Sequence, residues 1–188
     1  MFLGMVMIMN TFMVVLSVVI VVCLILIILV SIYNHFQDYI IRINEADVNI
    51  DAVLRKRFDL LNKSIGIIKH TTDTEEQILE ILEKIRSKKL NNFELDRHLY
   101  DAINEFHALK EKYSQLQENR EFIKTEINLI ESESEIVGLR KYYNDIITDY
   151  NKLVKSCPSN FIAIIKNYKS KDYFDGNNLD NEKGAIKL

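Results

Sequence analysis

Hydrophobic residues follow two different patterns along this chain. From Phe12 to Tyr33 the sequence FMVVLSVVIVVCLILIILVSIY is apolar on every side and contains no charged residue, Gly or Pro. A helix of this length rises about 33 Å, which matches the roughly 30 Å hydrocarbon core of a bilayer. A cleaved signal peptide is disfavoured, because the segment lacks a basic start and a small-residue cleavage site. We therefore predict a transmembrane helix at residues 12–33, after a short N-terminal segment at 1–11, with the lipid bilayer as its partner.

Beyond this run, hydrophobic residues recur every three or four positions, as on a one-faced helix. From Asn34 to Ile65 the sequence contains no helix breaker, so we expect the membrane helix to continue into the next domain without a linker. The segment KHTTDTEE ends this helix, and Thr72 with Glu75 three residues later is typical of a capping box that opens the next one. The pattern leaves open whether residues 74–116 form one kinked helix or two.

The last long helix is predicted from Glu118 to Lys155, because Pro158 cannot continue a helix interior. The apolar segment NFIAIIKNY that follows could fold back on the end of the bundle. Three or four long amphipathic helices with short connections predict an all-α fold, an antiparallel up-and-down bundle at residues 34–168. An extended coiled coil is disfavoured, since HTTDTE and SKKLNN interrupt its heptads. Residues 169–188 form a polar tail, which we predict to be largely disordered beyond Phe174.

The charge distribution limits the function and indicates an orientation. All 24 basic and 27 acidic residues follow the apolar run, and the net charge is only −3. This balance argues against a nucleic-acid partner, which would require a basic stripe. No Lys or Arg precedes the span, whereas Arg42, the cluster at 55–57 and Lys63 follow it. The positive-inside rule therefore favours an outer N-terminus and a cytoplasmic bundle.

Known catalytic and metal-binding motifs are missing from the sequence. One Pro and five Gly leave little for a phosphate-binding loop, and there is no nucleophile elbow. The four histidines never fall three or four residues apart, and no Glu precedes any of them by three. We expect no enzyme activity, no cofactor and no metal site. The two cysteines, Cys23 and Cys157, are interpreted as packing residues rather than a disulfide.

The last long helix carries an apolar seam at intervals of seven residues. Two Tyr-Asn pairs, at 143–144 and 150–151, are also seven residues apart, so both tyrosines fall in this seam. Their hydroxyl groups are expected to reach its edge. The seam consists of Phe122, Leu129, Ile136, Tyr143 and Tyr150.

A polar row lies beside this seam. It contains Glu133 and Arg140, and Asn144 follows one turn after Arg140. Such groups need partners, because an unpaired buried charge is very costly. Two interpretations remain open: an internal polar network that sets the helix register, or a small polar ligand site between helices. The candidate partners on the first helix are Asp51, Arg57 and Asp59.

Several segments, in their order and spacing, resemble the LemA family of bacterial membrane-anchored proteins. Two departures stand out: Asn62 replaces a common Pro, and Asp47 replaces a usual Trp. The missing Pro predicts a first helix that is straighter than the family pattern implies. Asp47 predicts that its face of this helix is exposed to solvent. The segments are YN at Tyr33, INEADVNIDAVLRKRFDLL from Ile43, ESEIVGLRKYYNDIITDYN from Glu133, Pro158 with NFIA, and DYF ending at Phe174.

The resemblance implies a helical bundle on one N-terminal membrane helix with the short N-terminus outside, and it implies no specific activity. We therefore expect a non-enzymatic scaffold or protein-interaction module at the cell membrane. A membrane protease or another envelope protein is the expected kind of partner. The alternative is a ligand-binding sensor that uses the polar row.

Overall fold

The computed structural model describes residues 2–72, 76–87 and 90–174, with side chains described from Met9 onward and, in the second helix, from Ile78. Every regular element within these ranges is a helix, which confirms the predicted all-α fold. The helices are α1 (Phe2–Thr72), α2 (Glu76–Ser87), α3 (Asn92–Lys112), α4 (Ser114–Glu118), α5 (Arg120–Lys155) and α6 (Ser159–Lys166).

Helix α1 runs without interruption from the apolar segment through Asn62, which confirms the predicted continuity. Thr72 is its last residue, and the Thr72 hydroxyl donates to the carbonyl oxygen of Ile68 at 2.9 Å. Glu75, the predicted capping partner of Thr72, lies outside the described residues. Asp47 is exposed, as predicted, and its side chain accepts a hydrogen bond of 2.9 Å from the Asn92 amide.

Within the described residues, the segment at 74–116, which the pattern left open, contains α2, α3 and the start of α4. Helix α3 opens with a capping box: the Asn91 side chain accepts from the Glu94 backbone N–H, and the Glu94 carboxylate accepts from the Asn91 N–H. Helix α5 begins two residues later than predicted. Asn119 caps it, because the Asn119 side-chain oxygen accepts from the backbone N–H of Phe122 at 3.1 Å.

The chain forms two compact units. The anchor unit contains residues 1–41 and 149–170, and the bundle unit contains residues 42–148 and 171–188. Helices α1 and α5 each contribute one part to each unit, so the predicted bundle domain at 34–168 contributes to both.

Cross-helix contacts fix the directions of the helices inside the bundle unit. Lys56 pairs with Glu135 and Lys63 with Glu121, so α1 and α5 are antiparallel. Arg86 near the end of α2 donates to the Asn62 side chain at 2.6 Å, which places α2 antiparallel to α1.

Helix α3 is also antiparallel to α5, because Asp96 contacts Arg140 whereas Lys110 contacts Glu126. The order of the four long helices is therefore up, down, up, down, as predicted. Their apolar faces form one core, in which the Phe106 and Phe122 rings stack 4.2 Å apart. Four members of the predicted seam on α5 are at most 2% exposed: Phe122, Leu129, Ile136 and Tyr150.

The anchor unit contains the exposed apolar part of α1. Helix α1 is long and apolar enough to cross a membrane, and none of its most apolar window is buried. Just beyond it, Phe36 is fully buried against the rings of Tyr150 and Tyr168. Gln37 donates to the Tyr168 hydroxyl at 2.8 Å. Aromatic contacts and this hydrogen bond thus attach the end of the apolar segment to the C-terminal part of the unit.

The C-terminal segment returns to the bundle unit after the anchor unit. Of the predicted tail at 169–188, the structure describes residues 169–174, and 175–188 lie outside the described residues. Phe174 is only 6% exposed and belongs to the core of the bundle unit.

Candidate functional site

Four charged side chains from three helices meet inside the bundle unit. This charge cluster consists of Arg57 on α1, Asp96 on α3, and Glu133 and Arg140 on α5. The Arg57 guanidinium donates through Nη1 to Asp96 Oδ1 at 3.3 Å and through Nη2 to Glu133 Oε2. Arg140 Nη2 donates to Asp96 Oδ2. Asp96 therefore bridges the two arginines, with one carboxylate oxygen for each.

Burial differs greatly among these four side chains. The Arg57 side chain is 1% exposed and that of Asp96 is 11% exposed, whereas Arg140 reaches 24% and Glu133 reaches 41%. The formal charges of the cluster sum to zero. Because charges removed from water need both counter-charges and hydrogen bonds, the cluster is stable only as a complete set.

The residues of the predicted polar row and their predicted partners lie in different environments. Glu133 and Arg140 both lie in the charge cluster, and among the predicted partners on α1 only Arg57 contacts them within the described residues. Asp51 instead pairs with Arg55 on its own helix, at 2.7 Å. Asp59 is exposed.

Asn144 holds the C-terminal segment rather than a member of the cluster. Its side-chain oxygen accepts a hydrogen bond of 2.8 Å from the backbone N–H of Phe174. The Phe174 ring lies edge-on to Phe93 and Tyr143, each with centroids 6.1 Å apart, and the Arg140 guanidinium carbon lies 5.8 Å from its centroid. Phe174 thus covers one side of the Arg140 side chain.

The tyrosines of the two Tyr-Asn pairs are both packed, as the seam predicts. Tyr150 is 2% exposed. The pKa of its hydroxyl is raised mainly by burial and to a smaller extent by the nearby Tyr168. The pKa of the Tyr143 hydroxyl is raised mainly by burial and to a smaller extent by the negative charges of Asp47 and Asp172. Burial thus favours the neutral form of both hydroxyls.

Sequence reasoning missed Asp96, the residue that connects the cluster. Asp96 occurs seven residues before Ile103 and three before Leu99, so it lies on the apolar face of α3. A lone carboxylate on such a face was the available signal. Its partners could not be identified in this way, because they lie 39 and 44 positions away along the chain.

A groove of about 320 Å³ opens on the bundle unit between α3 and α5, next to the charge cluster. The exposed residues Tyr100 and Ile130 stand on its two walls. Arg57 and Glu133 also line it. The groove therefore combines apolar walls with one buried cation and one accessible carboxylate.

Helix α5 carries an exposed apolar stripe that extends beyond this groove. Ile127, Ile130 and Val137 are 51–55% exposed and lie on one face, since their spacings are three and seven residues. Ser134, a lining residue of the groove, occupies the turn between the last two. We call these three residues the α5 stripe.

Comparison with protein families gives a match over residues 46–187 to the LemA family. This range is about three quarters of the chain. The chain belongs to the LemA family. Among curated proteins there is no match.

The LemA match covers the whole charge cluster, the groove and the α5 stripe, but it begins after the apolar segment of α1. The match therefore covers most of the bundle unit and the C-terminal part of the anchor unit at 149–170. The evidence for a membrane anchor is the length and apolar surface of α1. Among the described residues, no three His, Cys, Asp or Glu side chains come together in a way that could hold a metal ion.

Proposed function

We propose that this LemA-family protein is a non-enzymatic, membrane-tethered bundle that binds another protein through the α5 stripe and the adjoining groove. The stripe carries the proposal, because three large apolar side chains on one helical face are suited to pack against an apolar helix of a partner. Because each of the three is already about half buried, covering its exposed part contributes roughly half of the 1.5–3 kcal/mol of a full transfer from water. The partner is a membrane or envelope protein, because a single-span tether keeps the bundle close to the bilayer.

The charge cluster supports this proposal by keeping the docking face in place. Arg57 connects α1 to α5 through Glu133, and Asp96 connects α3 to both of the other helices. A slip of α3 against α5 would separate Asp96 from Arg140 and leave buried charges unpaired, at a cost of several kcal/mol per charge. The relative position of the groove walls is therefore specified by electrostatics as well as by packing.

A photoreactive amino acid at Ile130 is expected to capture a specific partner protein in native membranes. Val48 on α1 is the matched control, because it is also apolar and 65% exposed but has Asn44 and Ala52 as neighbours one turn away. Mass spectrometry of the adducts should show a protein enriched several-fold at Ile130 over Val48. Identical adducts at the two positions would contradict the docking face.

A second candidate function, a ligand-binding sensor, is favoured by one observation. Within the described residues Arg57 Nε is buried without a hydrogen-bond partner, and Arg57 lines the groove. A small carboxylate or phosphate would compete with the more exposed Glu133 for this guanidinium. The crosslinking experiment separates the two candidates, since a sensor without a protein partner gives no enrichment at Ile130.

We further propose that the apolar segment of α1 crosses the cell membrane once, with the N-terminus outside and the bundle in the cytoplasm. The support is the charge distribution: Arg42 and the cluster at 55–57 follow the span, and no charged residue precedes it.

The orientation has a probe in Cys157, which is exposed, while Cys23 lies within the apolar segment. A membrane-impermeant maleimide is expected to leave Cys157 unlabelled in intact cells and to label it after permeabilisation. The chain with Asn10→Cys and Cys157→Ser is the control for the opposite side, and it should be labelled in intact cells. The reverse pattern would place the bundle outside.

A further inference from the structure

Helix α6 in the anchor unit is apolar on two opposite sides. Ser159, Ile162 and Ala163 are buried, and they form the packed face. Phe161, Ile164 and Ile165 are 61–79% exposed and, at spacings of three and four residues, share the other face. A short helix that exposes three large apolar side chains opposite its packed face is unusual at a protein–water surface.

The position of α6 connects this exposed face to the membrane segment. Lys166, the last residue of α6, places its ammonium 5.4 Å from the centroid of the Tyr33 ring. Tyr33 ends the uncharged apolar run of α1, and tyrosine is enriched where a membrane helix leaves the hydrocarbon core. Tyr168, two residues after α6, contacts Phe36 and Gln37. The C-terminal end of α6 therefore lies at the level where α1 leaves the apolar segment.

The chain segment that contains α6 is basic, although Lys152 at its start pairs with Asp149 at 3.1 Å. Between Tyr150 and Ser170 the chain contains no Asp or Glu. A short helix with an exposed apolar face and flanking lysines has the composition of helices that lie in a membrane interface, where lysines meet anionic headgroups. The lysines of this segment are Lys152, Lys155, Lys166 and Lys169.

We propose that α6 is a second membrane contact of this protein: it lies in the interface next to the transmembrane helix, with Phe161, Ile164 and Ile165 in the lipid and the surrounding lysines at anionic headgroups. This inference rests on the proposed membrane tether, since the position of α6 is deduced from its contact with the end of the span. A bilayer contact at a second point restricts tilting and rotation of the anchor unit in the membrane.

Because the chain contains no Trp, single Trp substitutions report on individual positions. The full-length protein with Phe161→Trp is reconstituted into vesicles that contain phosphatidylcholine brominated either near the headgroup or deep in the acyl chains. We expect the shallow bromines to quench this Trp at least twofold more strongly than the deep ones, because interfacial helices are buried only about 5–10 Å below the boundary. Replacing a quarter of the lipid by phosphatidylglycerol should increase the shallow quenching.

Two further variants keep the outcomes distinct. Ile28→Trp lies in the apolar segment and tests the tether alone, and Tyr100→Trp on α3 is the exposed control in the bundle unit. If Ile28→Trp is quenched but Phe161→Trp is not, the α6 contact is wrong and the tether stands. If neither is quenched, the tether itself is wrong. If the Trp emission of Phe161→Trp is blue-shifted but not quenched, the exposed face of α6 contacts protein rather than lipid. If the quenching does not change when phosphatidylglycerol is added, the lysines do not contact anionic headgroups.

Discussion

Asp96→Leu is expected to lower the free energy of unfolding by about 3–5 kcal/mol, because it removes the only counter-charge that Arg140 contacts within the described residues and one of the two that hold the buried Arg57. Asp96 is the shared partner of Arg57 and Arg140, so its loss affects both arginines at once. Arg57, with a side chain only 1% exposed, then depends on Glu133 alone. The measurement is urea unfolding of the detergent-solubilised protein, followed by circular dichroism.

The matched control is Asp101→Leu, an exposed carboxylate on the same helix, with an expected change within about 0.5 kcal/mol. A triple variant with Arg57→Met, Asp96→Leu and Arg140→Met tests the mechanism. Because apolar side chains of similar volume often replace buried ion pairs without loss, we expect most of the stability to return. An Asp96→Leu effect below about 1 kcal/mol would mean that water reaches Arg57, and would remove the role of the cluster in setting the helix register.

Phe174→Ala is expected to cost about 2–4 kcal/mol, somewhat less than a fully enclosed Phe→Ala substitution, because a site at the edge of the core can partly collapse. The ring is 6% exposed and lies edge-on to Phe93 and Tyr143. Its loss should also release the backbone at Lys171, so that trypsin cleaves there earlier than in the wild type. Urea unfolding and limited proteolysis measure the two effects.

Tyr142→Ala provides the control for Phe174→Ala. Tyr142 is also aromatic but is 40% exposed, and we expect a change below about 1 kcal/mol and an unchanged trypsin pattern. If Phe174→Ala matched this control, residues 171–174 would contribute nothing to the stability of the bundle unit.

The long helices α1 and α5 could be predicted from the sequence because their signals are local, whereas the division of 74–116 could not. The apolar run at 12–33 and the three- and four-residue spacing after it indicate a helix and the side of it that faces a core. Pro158 indicates where α5 must end. The apolar seam on α5, with its repeat of seven residues, could also be predicted from the sequence. Four of its five members are almost fully buried. Helix boundaries were less accurate, since the caps Asn91 and Asn119 were not recognised.

The partners of the polar row depended on the tertiary structure. The sequence placed Glu133 and Arg140 beside the seam and suggested three partners on α1, of which only Arg57 contacts them within the described residues. Asp96 was missed because a contact across 44 positions depends on the register between two helices, and local spacing carries no information about that register. Asn144, grouped with the row, instead binds the backbone of Phe174.

By itself, the sequence determined the all-α class, a long apolar helix able to cross a membrane, and the resemblance to the LemA family. These features follow from hydrophobic periodicity and from sequence segments whose order and spacing can be recognised without the structure. Only the tertiary structure decided that Asp96 joins two arginines, that the chain returns after α6 to bury Phe174, and that α6 and α5 each keep an apolar face exposed. The physical reason is the same in each case: burial and ion pairing depend on which helices become neighbours, and that is settled by packing among residues far apart in the chain.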